Sequence, residues 1–532
     1  MRRVTLCMIA RDEERMLPGC LDSSKGAVDE IVLVDTGSSD ATREIAARHG
    51  AKVLDRPWDD DFSAPRNLAL AHATGEWVLQ LDADERLAPG AAAGVRRAVE
   101  SGTECGAVRL HNASRADAAA VEVLSGAARV GRPLWLPRLV KRLPGLSYQG
   151  IVHESLEESL GPRGIRPREV DADVIHLGAV PAERAAMGKA ERNLRLLERR
   201  CALEADSVTP FAYLAGELRE LGRPADAAEV AERGWKLLPR QPAWRSIHHL
   251  AVTRAFLAQA QGNWDRVLET VTAAAARQGP IPDLSYLAGC ALETRSLRLA
   301  GPESREALAG AEAAYREALA PPPPGRRVAP FVPGSTTWGA RTRLGTVLLR
   351  LGRPAEAREA FAAAAGDAPD PIEARLGVAE ALLDEGRAQD ALRALEPLLG
   401  PRADGWILAA AAAAALGRVA EARAFLAGAG QRLGAGFVAG HRAARARALA
   451  GVPRPDFPAL LAALIERRPV APGDRGAQVD LGLLRRFAAD LVATGRQGLL
   501  APLLEPAAEE ACPGLPGWTR GVLRELGASP PA

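Results

Sequence analysis

Along the first 85 residues, short runs of β-branched and other apolar residues alternate with stretches whose apolar positions recur at helical spacing. The runs Val4 to Ile9, Ile31 to Val34, Lys52 to Leu54 and Trp77 to Leu81 read as strands, and helices are predicted around Glu14 to Ser23, from Thr42 to His49 and from Pro65 to Ala73. Strands and helices alternating in this way build right-handed βαβ units on a mainly parallel sheet. Ligands of such sheets sit at the carboxyl ends of the strands. Polar residues follow those ends here: Arg11 and Asp12 after the first strand, Asp35 after the second, and Asp82 with Asp84 after the fourth.

From about Pro181 the pattern changes to Ala, Leu, Arg and Glu at helical spacing, and a small loop recurs: LGRPADAAE at Leu221, QGNWDRVLE at Gln261, LGRPAEARE at Leu351, EGRAQDALR at Glu385 and LGRVAEARA at Leu416. Gly352 and Gly386 are 34 residues apart and Gly386 and Gly417 are 31 apart, close to the period of tetratricopeptide helix pairs. Glycine in each loop suits a helix C-terminus that needs φ > 0. The stretch PPPPGRR, Pro321 to Arg327, cannot continue a helix and interrupts the arm. The expected organisation is an α/β domain over residues 1–180, a first tetratricopeptide-like array over 181–320 and a second over 328–532.

Composition narrows the classes. At 532 residues the chain exceeds one ordinary core. Its 68 Lys and Arg against 66 Asp and Glu carry none of the imbalance that draws a protein onto nucleic acid or anionic membrane. Six scattered cysteines without CxxC pairs suit the reduced thiols of a cytosolic protein, so a cytoplasmic location is expected. The apolar run Val4 to Ala10 meets charges at once and lacks a small-residue cleavage site, which makes it a buried strand and not a signal peptide. The alanine tract Ala409 to Ala415 is much shorter than the roughly 20 apolar residues of a membrane span. No transmembrane segment is expected.

Four separated pieces converge on the strand ends: VTLCMIARDEER, IVLVDTGSSDAT, DDDFSAPRNLAL and GEWVLQLDADERL. Singly, each has a plainer reading, since an Asp after a strand often caps the next helix. Together they suit a nucleotide-diphosphate sugar, whose base, ribose and diphosphate must each be held. The leaving diphosphate needs positive charge, which Mg²⁺ or Mn²⁺ on hard oxygen ligands can supply. Asp82 and Asp84 can point one carboxylate at ribose and the other at the metal, Asp35 is placed to accept a hydrogen bond from the base, and Arg66 can meet a phosphate with its planar fork.

VTLCMIARDEE, VDTGSSDAT, DDDFSAPRN and LDADE resemble the sequence blocks of family 2 glycosyltransferases with the GT-A fold, most closely the bacterial subgroup that joins such a domain to tetratricopeptide repeats. RLVKRL at Arg138, GIVHESL at Gly150, VIHLG at Val174 and KAERNLRLLE at Lys189 are similar to that subgroup's later blocks. The resemblance implies an α/β GT-A domain that performs inverting transfer from a nucleotide sugar, usually a UDP-sugar, with a divalent metal. Its nucleotide-binding residues would be Ala10, Asp12, Glu13, Asp35, Arg66 and Asp82, and its metal ligands Asp84 with Asp82 and a late histidine, His176. Glu154, in the HE pair of GIVHESL, is the candidate base, with Glu157 and then Asp173 behind it. The chain departs from the subgroup in having Asp12 for Asn, Pro65 for Ala and Ala179 for Tyr.

The acceptor, whether peptide, saccharide or lipid-linked glycan, is expected to be selected by the repeat arm without the arm taking part in the chemistry; the arm's groove also suits a protein partner. A dehydrogenase is excluded, because Ala10-Arg11-Asp12-Glu13 has none of the glycines that let a backbone approach a pyrophosphate. The serious rival is a non-catalytic tetratricopeptide scaffold with a degenerate nucleotide-sugar domain; a nucleotidyltransferase fits less well, since its first loop would be glycine-rich and basic where this one is acidic.

Overall fold

A computed structural model describes residues 2–131, 133–178, 189–296, 299, 301–321, 332–399 and 403–433, with 515–525 and a few single positions beyond. The strands are β1 (Val4–Ala10), β2 (Glu30–Asp35), β3 (Lys52–Asp55), β4 (Trp77–Gln80), β5 (Glu85–Leu87), β6 (Cys105–Asn112), β7 (Leu134–Lys141) and β8 (Arg168–His176). With them come α1 (Leu17–Ser24), α2 (Thr42–Arg48), α3 (Ser63–His72), α4 (Ala91–Glu100), α5 (Ala120–Ser125) and α6 (Glu157–Leu160). The predicted elements are all present, with ends moved by one to three residues; α1 starts at Leu17 because Asp12 to Met16 turn back on themselves first.

The sheet order is β3-β2-β1-β4-β7-β6-β8-β5. β1, β2, β3 and β4 are parallel, as the alternation predicts, but the far half is mixed: β7 runs antiparallel to β4 and β6, and β5 antiparallel to β8. Two registers matter for the site. Leu79 lies opposite Leu139, which sets Arg138 beside the end of β4. Glu85 lies opposite His176, which brings a distant strand end next to the Asp84 turn.

Successive side chains of a strand point to opposite faces, and here each face has its own core. Val4, Leu6, Met8 and Ala10 pack with Leu33, Leu17, Leu21, Val95 and Val99 on one face. Cys7, Val32 and Val34 pack with Ala69, Leu70, Val140 and Tyr148 on the other. Burial on both faces is why β1 and β2 read as continuous apolar runs rather than alternating ones. Helix α4 lies so close to β8 that a Cβ at Gly94 would stand 1.8 Å from the Asp171 carbonyl oxygen, an atom that cannot swing aside. Gly94→Ala is therefore expected to lower stability by about 1–3 kcal/mol or more through overpacking, read as a lower urea midpoint; an unchanged midpoint would refute this packing.

Helices follow: α7 (Lys189–Leu203), α8 (Val208–Glu220), α9 (Pro224–Lys236), α10 (His248–Ala260), α11 (Trp264–Gln278), α12 (Pro282–Ser296), α13 (Gly301–Leu319), α14 (Trp338–Arg350), α15 (Pro354–Asp367), α16 (Ile372–Asp384), α17 (Ala388–Leu395), α18 (Ala403–Ala415), α19 (Val419–Leu433) and α20 (Leu515–Glu525). The recurring loop is one hydrogen-bonded turn used five times. In its first copy Gly222, at φ 72°, donates to Arg219 O, and Arg223 donates to Leu218 O. Gly262, Gly352, Gly386 and Gly417 repeat both bonds. This is the Schellman closure of a helix C-terminus, and it requires the left-handed residue that the glycine supplies. The alanine tract lies inside α18, where Ala409 to Ala413 are buried among neighbouring repeats. None of the described helices is long and apolar enough to cross a membrane.

Contacts divide the chain into two units, one of which runs Met1–Thr253 while the other begins at Arg254. Helices α7, α8 and α9 fall in the first of these units; the expected boundary at 180, with Ala179, lies in 179–188, outside the described residues. Beyond Pro321 the PPPPGRR stretch is also outside them, as is most of the expected second array after 433.

Candidate functional site

The carboxyl ends of β1, β2 and β4 share one edge of the sheet, with β2 and β4 on either side of β1. There the first two loops are laced together. Asp12 has φ 54°, a left-handed conformation that Asn and Asp tolerate better than most residues. Its amide donates to Ser38 Oγ at 3.0 Å and its carboxylate accepts from Ser39 N at 2.8 Å. Those Ser39 bonds hold its carboxyl below the usual range. The Asn usual in the similar subgroup would suit the same backbone and offer the same acceptor oxygen, so the departure preserves the turn. Glu13 N donates to Thr42 Oγ1 at 2.7 Å, and Ala10 O accepts from Thr36 N at 2.9 Å. Asp35 is buried and turned into its own loop, accepting from Gly37 N at 3.1 Å and Ser38 N at 3.0 Å and from the Ser38 hydroxyl.

At the end of β4 the two aspartates diverge. Asp82 accepts from Arg66 Nη2 at 2.9 Å and Arg138 Nη2 at 3.3 Å. Burial alone would raise its carboxyl, but the two guanidinium groups overcome burial and hold it well below the usual carboxylate range. Arg66, buried on the first turn of α3, reaches Asp82 with one nitrogen and Glu154 with another, so Asp82 and Glu154 are separated by a single guanidinium. Arg138 extends the chain to Glu85 at 2.5 Å, and Glu85 in turn accepts from Asp82 N at 3.0 Å. Burial pushes Glu85 up against the opposing pull of Arg138.

Asp84 faces the other way. Its Oδ2 lies 3.4 Å from His176 Nε2, and His176 Nδ1 lies 2.9 Å from Asn112 Oδ1. With Nδ1 turned to an acceptor, Nε2 is the nitrogen that faces Asp84; against burial, that carboxylate pushes the imidazole up, so a proton sits where a ligated metal would replace it. The Asp84 carboxylate also rests on the backbone of Gly178, where a Cβ would stand 1.9 Å from Oδ2. Two of the three expected ligands therefore meet, while Asp82 is committed to arginines. Among the described residues no three of His, Cys, Asp and Glu are gathered as a metal cluster.

The other candidates are engaged elsewhere. Glu157 accepts from Ser246 N at 2.7 Å, and Asp173 pairs with Arg109 at 2.8 Å and His111 at 2.7 Å. His153, the residue before Glu154, stacks on Tyr213 with ring centroids 4.3 Å apart. Burial and the nearby Arg200 push it down to about 4, so it is neutral near pH 7 and adds no charge beside Glu154. On α7, Arg192 lies over the Phe62 ring at 5.4 Å. Sequence reasoning singled out neither Arg138, Glu85, Asn112 nor Arg200, although Arg138 and Glu85 stand inside blocks it had marked.

A sheet of this order with acidic turns at its strand ends, followed by repeated helix pairs, defines a GT-A-type domain joined to a tetratricopeptide arm. The glycosyl transferase family 2 model matches residues 5–154 and a tetratricopeptide repeat model matches 348–405, so the chain joins a family 2 glycosyltransferase domain to tetratricopeptide repeats. It is 34% identical over 286 residues to a TPR repeat-containing protein of Synechococcus elongatus, covering 52% of this chain and 66% of that one. It is 34% identical over 87 residues to an uncharacterized glycosyltransferase of Rickettsia typhi, covering 16% and 30%. To the SPbeta prophage-derived glycosyltransferase SunS of Bacillus subtilis it is 26% identical over 239 residues, covering 43% and 52%. The chain thus spans two thirds or less of these relatives' own lengths. A solved structure of PilW, a type IV pilus biogenesis factor, aligns over 44% of this chain and 96% of that one at 19% identity and a TM-score of 0.34.

Proposed function

We propose that the protein is an inverting glycosyltransferase that moves a sugar from a nucleotide-diphosphate sugar, of the UDP type, to a peptide, saccharide or lipid-linked acceptor selected by the helical arm. The observation that carries this reading is the convergence of Asp82, Arg66 and Glu154 from three separate segments at one end of the sheet, with Asp84 and His176 meeting on the same turn. The family 2 match over residues 5–154 supports the reaction class.

In this reading Asp35 and the Asp12–Ser39 loop receive the nucleotide, and Asp82 the ribose and diphosphate region. Asp84 and His176 would hold Mn²⁺ or Mg²⁺, which supplies the positive charge that stabilises the leaving diphosphate. Their proximity, and the Asn112 bond that orients His176, fit such an ion. Arg66 fixes the spacing between the donor carboxylate Asp82 and Glu154. In an inverting transfer the acceptor attacks from the face opposite the leaving group, so its proton must go to a carboxylate outside the metal loop. Glu154 takes that role.

A panel of nucleotide sugars incubated with the full chain and Mn²⁺ tests the proposal, because slow transfer to water needs no knowledge of the acceptor. Hydrolysis of one UDP-sugar above the rest is expected. Nucleotide release from none of them, at protein concentrations that bind UDP, would favour the scaffold reading instead.

A further inference from the structure

The loop that carries Glu154 is a small closed hairpin: Gln149 and Ser155 exchange backbone bonds of 2.9 and 3.0 Å, and the tip between them turns through left-handed Gly150, φ 98°, and His153, φ 50°. A non-glycine residue in that region persists only where the surroundings impose it. Here the surroundings are specific. The tip carbonyls of three consecutive residues are bonded from outside the hairpin. Ile151 O accepts from Phe62 N at 2.9 Å, at the start of the helix that bears Arg66. Val152 O accepts from Arg200 Nη1 at 2.6 Å, and His153 O from the same nitrogen at 3.2 Å.

Arg200 belongs to α7, the first of the described helices after the sheet. It is buried at 3% exposure, and Glu204, one turn on, fixes its guanidinium with bonds of 2.8 and 3.1 Å. The fit leaves no slack, since a Cβ at Gly150 would stand 2.2 Å from Arg200 Cζ. Further along the same polypeptide stretch, Tyr213 of α8 stacks on His153, Arg245 pairs with Glu158, and Ser246 N donates to Glu157. The helices up to residue 246 therefore form the wall behind this hairpin.

We infer that Arg200 is a positioning residue of the active site, holding the Gly150–His153 turn so that Glu154 meets Arg66 on the acceptor side, and that the first helices of the arm are part of the transferase site and not only an acceptor-selecting appendage. The consequence for transfer rests on Glu154 acting as proposed above; the clamp itself does not.

The test uses the full chain carrying Arg200→Met, which keeps most of the side-chain volume and loses the bonds, and Arg200→Lys, which keeps a charge and a donor. Backbone hydrogen exchange is followed segment by segment together with UDP binding in Mn²⁺ and turnover of the best nucleotide sugar. In Arg200→Met, exchange across 149–155 should rise by about tenfold or more, as for a locally opened segment, while β2 and the 80–86 turn stay within about twofold. UDP affinity should stay within about twofold and kcat should fall roughly 10–100-fold, the scale of a small misplacement of a catalytic group. Arg200→Lys should recover part of both losses. Unchanged exchange across 149–155, or exchange rising equally in all segments, would overturn the inference. Should Arg200→Met not fold, Arg200→Lys decides alone, with selective loosening of 149–155 supporting the clamp and wild-type exchange refuting it. A wild-type chain that turns over no nucleotide sugar would defeat the reading of Glu154 and leave the exchange result to judge the clamp.

Discussion

Asp84→Asn is expected to reduce sugar transfer by about 10³-fold, corresponding to roughly 4 kcal/mol of lost transition-state stabilisation. The substitution keeps the shape of the side chain and removes its charge. Asp84 is the acid of the turn that faces His176, whereas Asp82 is already neutralised by Arg66 and Arg138. A cation brought to this turn therefore finds at Asp84 the carboxylate that no arginine holds. Because Asp84 takes part in neither core, the fold should survive, which circular dichroism and the thermal midpoint would check. Wild-type UDP-sugar turnover by Asp84→Asn, or full activity of the wild type in EDTA, would refute the metal assignment.

Glu154→Gln should lower kcat by about 10²-fold or more, the usual worth of a general base, with the donor KM nearly unchanged. Glutamine still offers Arg66 a carbonyl oxygen, so the Asp82–Arg66–Glu154 spacing can persist while proton acceptance is lost. The kcat-against-KM split separates this role from donor binding. A variant that transfers at the wild-type rate would move the base elsewhere, and the structure makes the fallbacks poor ones. Glu157 is bonded to the Ser246 amide, and Asp173 is held between Arg109 and His111.

Much of this arrangement is legible in the chain because it follows from local chemistry. The short apolar runs and the helical patterns near the N-terminus place β1, β2 and β4, and with them the residues that follow each strand end. The glycine of each repeat loop announces a Schellman turn, because no other residue closes a helix that way at so little cost. What escaped was set by pairing between distant segments. Nothing local to Arg138 says that β7 runs antiparallel beside β4, yet that register is what delivers it to Asp82. The meeting of His176 with Asp84 likewise depends on the β5–β8 register, and its anchor Asn112 ends a third strand. Arg200 lies on a helix whose sequence reads as an ordinary amphipathic repeat, and its partners are backbone carbonyls, which leave no trace in residue identity. The split roles of Asp82 and Asp84 follow from the same long-range geometry, since a two-residue spacing alone does not say which carboxylate the arginines will take.

The central claim is that the turn after β4 is a metal-assisted nucleotide-diphosphate site, and UDP binding to the full chain measured by calorimetry, once with Mn²⁺ and once with a chelator, tests it most directly. The account predicts affinity at least about tenfold tighter with the metal, a difference of roughly 1.4 kcal/mol, and no such difference in Asp84→Asn. Equal affinity with and without Mn²⁺, or no UDP binding under either condition, would contradict it.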